Sequence, residues 1–320
     1  MIGTELAEAR KYLIQGKVVA IPTETVYGLA GNALNTSSIV EIFHIKNRPF
    51  FDPLIVHVGS WEQVQQLTTH IPQTALDMAA EFWPGALTLL LPRSNIVPDL
   101  VTSGLPHVAV RMPKHEMAVS LLNSLNFPLA APSANPFGYI SPTTAQHVEK
   151  QLGDKIPYIL DGGPCHIGVE STIIGFDEHE HPVIYRLGGI PIERIEAVAG
   201  RKLSPKPVHF NKPQAAGQLD SHYAPTVPLQ IGHLAQLIAQ YDHNKKIGIL
   251  SFAIAYNLPN ATNIILSENG NIDEAAANLF AALRQLDEQK PEIILAEWVP
   301  DTGLGRAIND RLRRAAAKRT

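Results

Sequence analysis

Short apolar runs alternate with longer stretches of helical spacing along residues 1–200. Short runs rich in Val, Ile and Leu are typical of buried strands, and apolar residues three and four apart are typical of helices. The pattern predicts strands at Lys17–Ile21, Leu54–Val58, Ala86–Leu91, Val108–Met112, Phe127–Ala131, Tyr158–Leu160, Ile173–Phe176 and Val183–Arg186. It predicts helices at Asn35–Lys46, Trp61–Leu67, Thr74–Phe82, Lys114–Asn123 and Thr143–Leu152, with Thr36 or Ser37 capping the first. This alternation indicates an α/β fold.

The pattern changes after residue 200. Residues 201–225 contain four prolines and no apolar period, which is typical of an extended, semi-rigid linker. The linker ends in Ser221-His222-Tyr223-Ala224-Pro225, and we expect this aromatic and histidine cluster to dock on another part of the protein.

From Val227 onwards the predicted order is strand, helix, strand, strand, helix, strand, helix. The clearest helix is Ile272–Leu286, and Lys245–Ser251 and Glu292–Ala296 are the expected central strands. We therefore predict an α/β domain at residues 1–200, a linker at 201–225, and a small, mostly parallel α/β domain at 226–320.

Polar residues collect in loops where predicted strands end. The loop Pro132–Ser141 lies between a strand and a helix, and it offers hydroxyls, an amide, a glycine and backbone N–H groups but no charge. Strand-loop-helix corners are where α/β proteins bind ligands, and neutral donors of this kind suit oxygen-rich anions. Thr25, just past another strand, adds a hydroxyl. The same residue types also build turns and caps, so both interpretations stay open.

Three cations and a histidine accompany these loops. Lys46 and Arg48 lie at a helix end, where they either complement the helix dipole or form a phosphate clamp. Arg111 lies within an apolar strand and needs a partner or a ligand, because an unpaired buried cation is very costly. His57 lies in the middle of a strand, where a histidine is commonly a core residue.

The charge distribution limits the classes of partner. The formal net charge is −4, but residues 1–200 contain 12 Lys and Arg against 19 Asp and Glu, whereas residues 201–320 contain 14 against 11. An acidic first part argues against broad nucleic-acid binding there, because such binding requires neutralised phosphates. The last predicted helix carries Arg311, Arg313, Arg314, Lys318 and Arg319, a pattern typical of a solvated basic face or a polyanion contact.

The sequence lacks the patterns that mark several other classes of protein and site. The single cysteine, Cys165, excludes an internal disulfide and fits a reducing compartment. We find no signal-peptide pattern and no apolar stretch near the ~18 residues of a membrane span, so we expect a cytoplasmic protein without a membrane partner. A Walker loop and zinc-like cysteine spacing are also missing from the sequence.

An ordered set of motifs resembles a known domain. The chain is similar to the YrdC-like domain at Pro22-Thr23-Glu24-Thr25-Val26-Tyr27-Gly28-Leu29, Lys46-Asn47-Arg48-Pro49, Pro53-Leu54-Ile55-Val56-His57-Val58, Ser133-Ala134-Asn135 and Ser141-Pro142-Thr143. Together with Gly168-Val169-Glu170-Ser171-Thr172 and the cluster that ends at Pro225, it resembles the long form of the L-threonylcarbamoyladenylate synthase family over nearly the whole chain. The resemblance implies a twisted mixed sheet with flanking helices, a linker that docks on the active site, and a smaller Rossmann-like C-terminal α/β domain.

The resemblance also implies a function. Members of this family are nucleotidyltransferases that condense L-threonine, bicarbonate and ATP to threonylcarbamoyl-AMP and pyrophosphate. The product serves threonylcarbamoyladenosine modification of tRNA next to the anticodon, and other enzymes make that transfer. No covalent nucleophile is implied, and magnesium is expected to be held mainly by the substrate phosphates. Direct tRNA binding stays open.

The resemblance further implies which residues of this chain form the substrate sites. The resemblance implies an L-threonine site of Thr25, His57, Arg111, Ala131 and Ser171. It implies an ATP site of Lys46, Arg48, Asp52, His107, Ser133, Asn135, Ser141, Arg186 and Tyr223. Two positions depart from the family. Asp52 replaces an expected Asn and would repel phosphate, and Leu187 replaces an expected Pro.

Three other functions remain open at this point. A YrdC-like module could bind RNA without catalysis, although that predicts a basic concave face. A carbamoyl-adenylate enzyme with another acceptor, related to hydrogenase maturation factors, would be expected to carry zinc-finger and acylphosphatase segments, which this chain lacks. A regulatory protein could use its C-terminal α/β domain to sense a ligand.

Overall fold

The computed structural model describes residues 1–204, 213–218, 222–241 and 245–317. The first part contains the strands β1 (Ile2–Gly3), β2 (Val19–Ile21), β3 (Gly28–Asn32), β4 (Ile55–His57), β5 (Leu87–Pro92), β6 (His107–Arg111), β7 (Leu129–Ala130), β8 (Ile159–Leu160), β9 (Thr172–Phe176) and β10 (Pro182–Arg186). Within the described ranges these ten strands form one sheet in the order β1-β8-β2-β3-β7-β4-β6-β5-β9-β10. The sheet mixes parallel and antiparallel pairs, as predicted.

Helices flank this sheet. They are α1 (Leu6–Ile14), α2 (Thr36–Lys46), α3 (Trp61–Leu67), α4 (Gln73–Phe82), α5 (Asp99–Thr102), α6 (Glu116–Asn123), α7 (Ala145–Leu152) and α8 (Ile192–Ala199). We call the sheet and these helices the first lobe. Its main apolar cluster joins α2 and α7 to the inner strands, with Ile39, Phe43, Val56 and Val110 among its members.

The centre of the sheet brings distant parts of the chain together. Strand β4 pairs in parallel with β6, so that His57 lies beside Arg111. On its other side β4 pairs antiparallel with β7, which places His57 opposite Leu129 and leads directly into the loop that starts at Pro132. Polar residues from three sequence regions therefore meet over one face of these central strands.

Helix α2 and the residues just after it bring the predicted cations Lys46 and Arg48 to this face. Its cap is Asn35, whose side chain accepts hydrogen bonds from the backbone N–H groups of Ser37 and Ser38. The prediction of Thr36 or Ser37 as the cap was wrong, because Thr36 already has helical geometry. Asn47 ends the helix in the left-handed conformation with φ 51°, as its residue type predicted.

Several elements lacked a clear signal in the sequence. Strand β3 contains two glycines in five residues, and glycine weakens a strand pattern. Close packing explains them: a Cβ at Gly28 would lie 3.1 Å from Cβ of Ala131, and one at Gly31 would lie 3.2 Å from Cδ1 of Ile42. The helices α1 and α8 were also not predicted, and neither has a side-chain cap.

The second lobe contains β11 (Leu229–Gly232), α9 (Leu234–Ala239), β12 (Ile247–Ser251), β13 (Ala261–Ile265), α10 (Ile272–Glu288), β14 (Ile293–Glu297) and α11 (Gly305–Ala316). Its strands form an entirely parallel sheet in the order β11-β14-β12-β13. The predicted order of elements and the two predicted central strands are confirmed.

The two lobes share one apolar cluster. Leu279, Leu283 and Ile308 of the helices α10 and α11 pack in the same cluster as Ile140 and Val169 of the first lobe. The loops around residues 140 and 169 are therefore held between the sheet of the first lobe and the helices of the second.

Candidate active site

A small cavity lies over one face of the central strands, lined by the alternate β4 residues Ile55 and His57, by Arg111 of β6 and by Ala131, which follows β7 beside Ile55. Its walls are formed by Thr23, Val26, Gly28, Arg48, Ile55, His57, Arg111, Ala131, Pro132, Ser133, Glu170, Ser171, Arg186, Ala216, Gly217, His222 and Tyr223. The free volume is about 50 Å³. The side chains around it are therefore close to one another.

Three arginines reach this cavity from separate elements. Arg48 follows the end of α2, Arg111 ends β6 and Arg186 ends β10. They are 7%, 3% and 7% exposed, respectively. Three guanidinium groups around one buried hollow make a strongly anion-attracting site, because the low dielectric of the interior strengthens each charge.

Two of these cations have acidic partners. Nη2 of Arg111 lies 2.8 Å from Oε1 of Glu24, and Nε of Arg111 donates a hydrogen bond to the carbonyl oxygen of Gly85. Nη2 of Arg48 lies 2.9 Å from Oδ2 of Asp52. Arg111 thus has the structural partner that its position in an apolar strand demanded, and it also borders the cavity.

Asp52 does not border the cavity, because it is fully buried behind Arg48. Burial raises the pKa of its carboxyl group, and Arg48 and Lys46 oppose that shift. The expected repulsion of phosphate by Asp52 is thus offset in this arrangement, because its charge is paired with Arg48.

Lys46 also lies behind the wall. Its Nζ donates hydrogen bonds to the carbonyl oxygens of Ser133 at 2.5 Å and Asn135 at 2.6 Å. Burial, followed by the neighbouring Arg48, lowers the pKa of Lys46 well below its usual value. Lys46 therefore fixes the loop 133–135 against helix α2.

His57 faces the cavity as a neutral imidazole. Burial, followed by the charge of Arg111, lowers its pKa to about 3. Its buried Nδ1 lacks a hydrogen-bond partner among the described residues. An unpaired polar atom in such a position is costly to leave unsatisfied, which favours a ligand as its partner.

Hydroxyl groups divide between the wall and the layer behind it. Ser171 borders the cavity, and its Oγ accepts a hydrogen bond from Nη2 of Arg186 and lies 2.7 Å from Oγ1 of Thr88. Thr25 lies behind Thr23, with 2.9 Å between their hydroxyl oxygens. The sequence indicated Thr25, but Thr23 is the threonine at the wall, and only the turn geometry distinguishes the two.

The loop after β7 is similarly divided. Ala131 and Ser133 line the cavity, whereas Asn135 and Ser141 are buried away from it. The Asn135 amide donates to the carbonyl oxygens of Pro136 and Tyr139, and the Ser141 hydroxyl donates to Oε1 of Glu170 at 2.6 Å. Asn135 and Ser141 thus shape the loop.

Residues 213–218 and 222–225, here named the covering segment, close one side of the cavity. Ala216, Gly217, His222 and Tyr223 face it, and Nη1 of Arg186 donates a hydrogen bond to the carbonyl oxygen of Ala216. Gly217 has φ +78°, and a Cβ there would lie 2.7 Å from Oη of Tyr223. Glycine permits both the backbone conformation and this close approach. Ser221, which the resemblance also includes, lies outside the described residues.

His107 does not reach this cavity. It begins β6, whereas Arg111 ends it, and four residues of strand separate their backbones by about 13 Å. His107 instead borders a second cavity of about 420 Å³, together with residues that include Asp177, Glu178 and Tyr185. The role of His107 in the ATP site therefore stays a prediction.

Glu170 lies in the wall and was not singled out as a site residue from the sequence. The sequence offered one sign of its role, which was its position next to Ser171 in the motif Gly168-Val169-Glu170-Ser171-Thr172. Among the described residues, no group of three or more His, Cys, Asp or Glu could hold a metal ion. In the same ranges, none of the helices has the length and apolar character required to cross a bilayer.

Comparisons with known proteins agree with this arrangement. A family model described as Telomere recombination matches residues 11–188, and one described as Threonylcarbamoyl-AMP synthase, C-terminal domain, matches residues 190–317. The chain is 42% identical over 325 residues to a threonylcarbamoyl-AMP synthase of Pyrococcus abyssi, covering 97% of this chain and 94% of that relative. It is 41% identical over 331 residues to one of Bacillus subtilis, covering 98% and 94%.

A solved structure extends the similarity to three dimensions. The crystal structure of P. abyssi Sua5 complexed with L-threonine matches with a TM-score of 0.90 and 41% identity, covering 99% of this chain and 97% of that chain. The motifs, the two-sheet architecture and these matches lead to one conclusion. The chain belongs to the threonylcarbamoyl-AMP synthase family.

Proposed function

We propose that this protein is a nucleotidyltransferase that condenses L-threonine, bicarbonate and ATP to threonylcarbamoyl-AMP and pyrophosphate. The observation that carries the proposal is the convergence of Arg48, Arg111 and Arg186 on one hollow beside a neutral histidine. All three reactants contain anionic groups, and this chain belongs to a family whose relatives are named for the product.

The reaction suits a site without a nucleophile. The amine of L-threonine attacks bicarbonate or the CO₂ derived from it, and a carbamate forms with loss of water when bicarbonate is consumed. A carbamate oxygen then attacks the α-phosphorus of ATP, the bond to the bridging oxygen breaks, and pyrophosphate leaves. The protein must hold the reactants together and stabilise negative charge, which fixed cations and N–H donors do efficiently.

The residues divide into two groups in this proposal. His57, Arg111, Ala131 and Ser171 hold L-threonine, with Thr25 acting through Thr23 at the wall. Arg48, Ser133, Arg186 and Tyr223 hold the nucleotide, and Lys46, Asp52, Asn135 and Ser141 keep those groups in place. His107, which begins β6 and borders the second cavity, stays a predicted nucleotide contact.

The free volume of about 50 Å³ suggests that the site widens when ATP binds. Pockets for organic ligands measure roughly 300–1,000 Å³. The covering segment contributes four wall residues, so its movement is the simplest way to admit the substrates.

Magnesium has no evident protein ligand at this cavity. Glu170 is the carboxylate in the wall among the described residues, and its two oxygens accept from Ser141 and pair with Arg311. The residues therefore do not fit a protein-held metal, and we propose that the substrate phosphates hold the magnesium ion. Transfer enzymes that use the product on tRNA are the expected partners, and the cytoplasmic location stays a prediction.

The test is pyrophosphate release from purified protein, with ATP, L-threonine and bicarbonate each omitted in turn. We expect release only when all three are present, together with a new threonine-containing adenylate. Release that is unaffected by omission of L-threonine would contradict the proposal. An RNA-binding module without catalysis would release none and would retain tRNA in a filter-binding assay.

A further inference from the structure

Glu170 is an unusual residue for its position. It lies in the wall of a cavity whose other charged members are arginines, and it is 6% exposed. An uncompensated carboxylate there would repel the carboxylate and phosphate groups of the proposed substrates. It would also compete with them for Arg186, whose charge already acts on Glu170.

The second lobe supplies the countercharge. Arg311 of helix α11 has no exposed surface, and its Nε lies 2.7 Å from Oε2 of Glu170. Burial acts to raise the pKa of Glu170, but Arg311 and Arg186 together bring it below the usual value. The carboxylate is thus kept ionised and paired.

The other two nitrogens of the Arg311 guanidinium also have partners. Its Nη2 donates to the carbonyl oxygen of Leu187, directly after Arg186, and its Nη1 lies 2.7 Å from Oδ2 of Asp310. Its central carbon lies 4.9 Å from the ring centroid of Tyr223 in the covering segment. Arg311 therefore contacts three groups next to the cavity without bordering the cavity itself. The prediction of a solvated basic helix face was wrong for this residue.

We propose that Arg311 is a positioning residue that neutralises Glu170 and fixes Leu187 and Tyr223 around the anionic substrates, which lets the second lobe influence substrate binding through these groups. The inference rests on the proposed function. Without Arg311, Glu170 would turn its charge towards Arg186 and the cavity. The defect would therefore fall mainly on the affinity for anions, and removal of the Glu170 charge would correct it.

The test compares Arg311→Met, Glu170→Gln, the double variant of both, and Arg311→Lys in the pyrophosphate-release assay with varied ATP. Arg313→Met is the matched control, because Arg313 lies on the same helix with its guanidinium over Trp298. We expect Arg311→Met to raise the KM for ATP at least tenfold, as an order-of-magnitude estimate for a broken buried pair. We expect the double variant to return within about threefold of the wild type, with Arg311→Lys between the two and the control unchanged.

A purely structural role predicts a different result. Arg311→Met would then lower thermal stability and leave the KM for ATP unchanged. An unchanged KM for ATP in Arg311→Met, or a raised KM that the added Glu170→Gln substitution does not lower, would overturn the proposal. If Arg311→Met fails to fold, the double variant decides: a KM near the wild-type value supports the proposal, and a KM raised tenfold overturns it.

A binding measurement separates this inference from the proposed function. Calorimetric titration of each variant with ATP alone needs no turnover. Weak binding by Arg311→Met that the double variant restores would support the role of Arg311 even if the wild type released no pyrophosphate with L-threonine. Equal ATP affinity in the wild type and Arg311→Met would overturn the inference while the proposed reaction could still stand.

Discussion

The two lobes place their buried arginines differently. Around the cavity, Arg48, Arg111 and Arg186 bond to the protein but also border the cavity, where a bound anion would meet them. In the second lobe, Arg284 directs its guanidinium to the protein itself, donating to the carbonyl oxygens of Ile140 and Ser141 and to the side chain of Gln151. The first kind of arginine is placed to recognise a ligand, and the second kind shapes the loops that the ligand meets.

This difference explains how the second lobe can affect the reaction although none of its described residues borders the cavity. Arg284 holds the loop that ends at Ser141, and Arg311 holds the loop that contains Glu170. Ser141 donates to Glu170, so the two loops are joined. The contrast between recognising and shaping arginines can be tested by substitutions in each group.

The largest effect is expected from Arg111→Met. Loss of this cation should remove about 2–4 kcal/mol of transition-state stabilisation, measured as kcat/KM for L-threonine. Arg93→Met is the matched control, since Arg93 pairs with Asp99 away from the cavity. Wild-type kinetics of Arg111→Met at low L-threonine would show that this arginine serves only its pair with Glu24.

Arg284→Met should act mainly on stability. It leaves the carbonyl oxygens of Ile140 and Ser141 without their buried donor, and we expect the free energy of unfolding to fall by about 2–3 kcal/mol. Denaturant titration measures this change. Arg306→Met is the control, because Arg306 pairs with Glu193 near the surface. A large loss of kcat/KM with unchanged stability would place Arg284 among the recognising arginines.

Tyr223→Ala should have a smaller effect on activity, about tenfold in kcat/KM. Its ring stacks on Phe280 with centroids 5.6 Å apart, lies 4.1 Å from the ring of His222 and covers the cavity. Tyr223→Phe keeps the ring and should stay within about threefold of the wild type. Equal losses of kcat/KM in both variants would show that the hydroxyl group of Tyr223, and not its ring, supports activity.

The smallest effect is expected at the exposed pair between the lobes. Nζ of Lys150 lies 2.6 Å from Oε1 of Glu288, with both side chains about half exposed. Solvent screens such pairs, so Lys150→Met should change the free energy of unfolding by less than about 0.5 kcal/mol. A change above 1.5 kcal/mol, on the order of a buried contact, would mean that surface charges also hold the lobes together.

Local patterns predicted the second lobe well, because helix α10 has a clear apolar period and the central strands β12 and β14 are almost entirely buried. They also predicted Asn47 as a helix end. In contrast, the pairing of His57 with Arg111 depends on a strand register between segments some fifty residues apart. No local pattern contains that register.

The sequence predicted which motifs form the candidate site, but not which residues of each motif face the cavity. The motif around Thr25 was identified, yet the turn presents Thr23 instead. Asp52 was expected beside phosphate, and it lies behind Arg48. The pair of Arg311 with Glu170 spans 141 positions, so the charge pattern of helix α11 alone suggested solvent.

The apolar cluster shared by α10, α11 and the loops near residues 140 and 169 has a consequence for cooperativity. Two lobes with separate cores can melt independently, whereas lobes that share a core lose their contacts together. We therefore expect a single heat-absorption peak, in which the catalytic loops and the distant helices lose their structure at the same temperature.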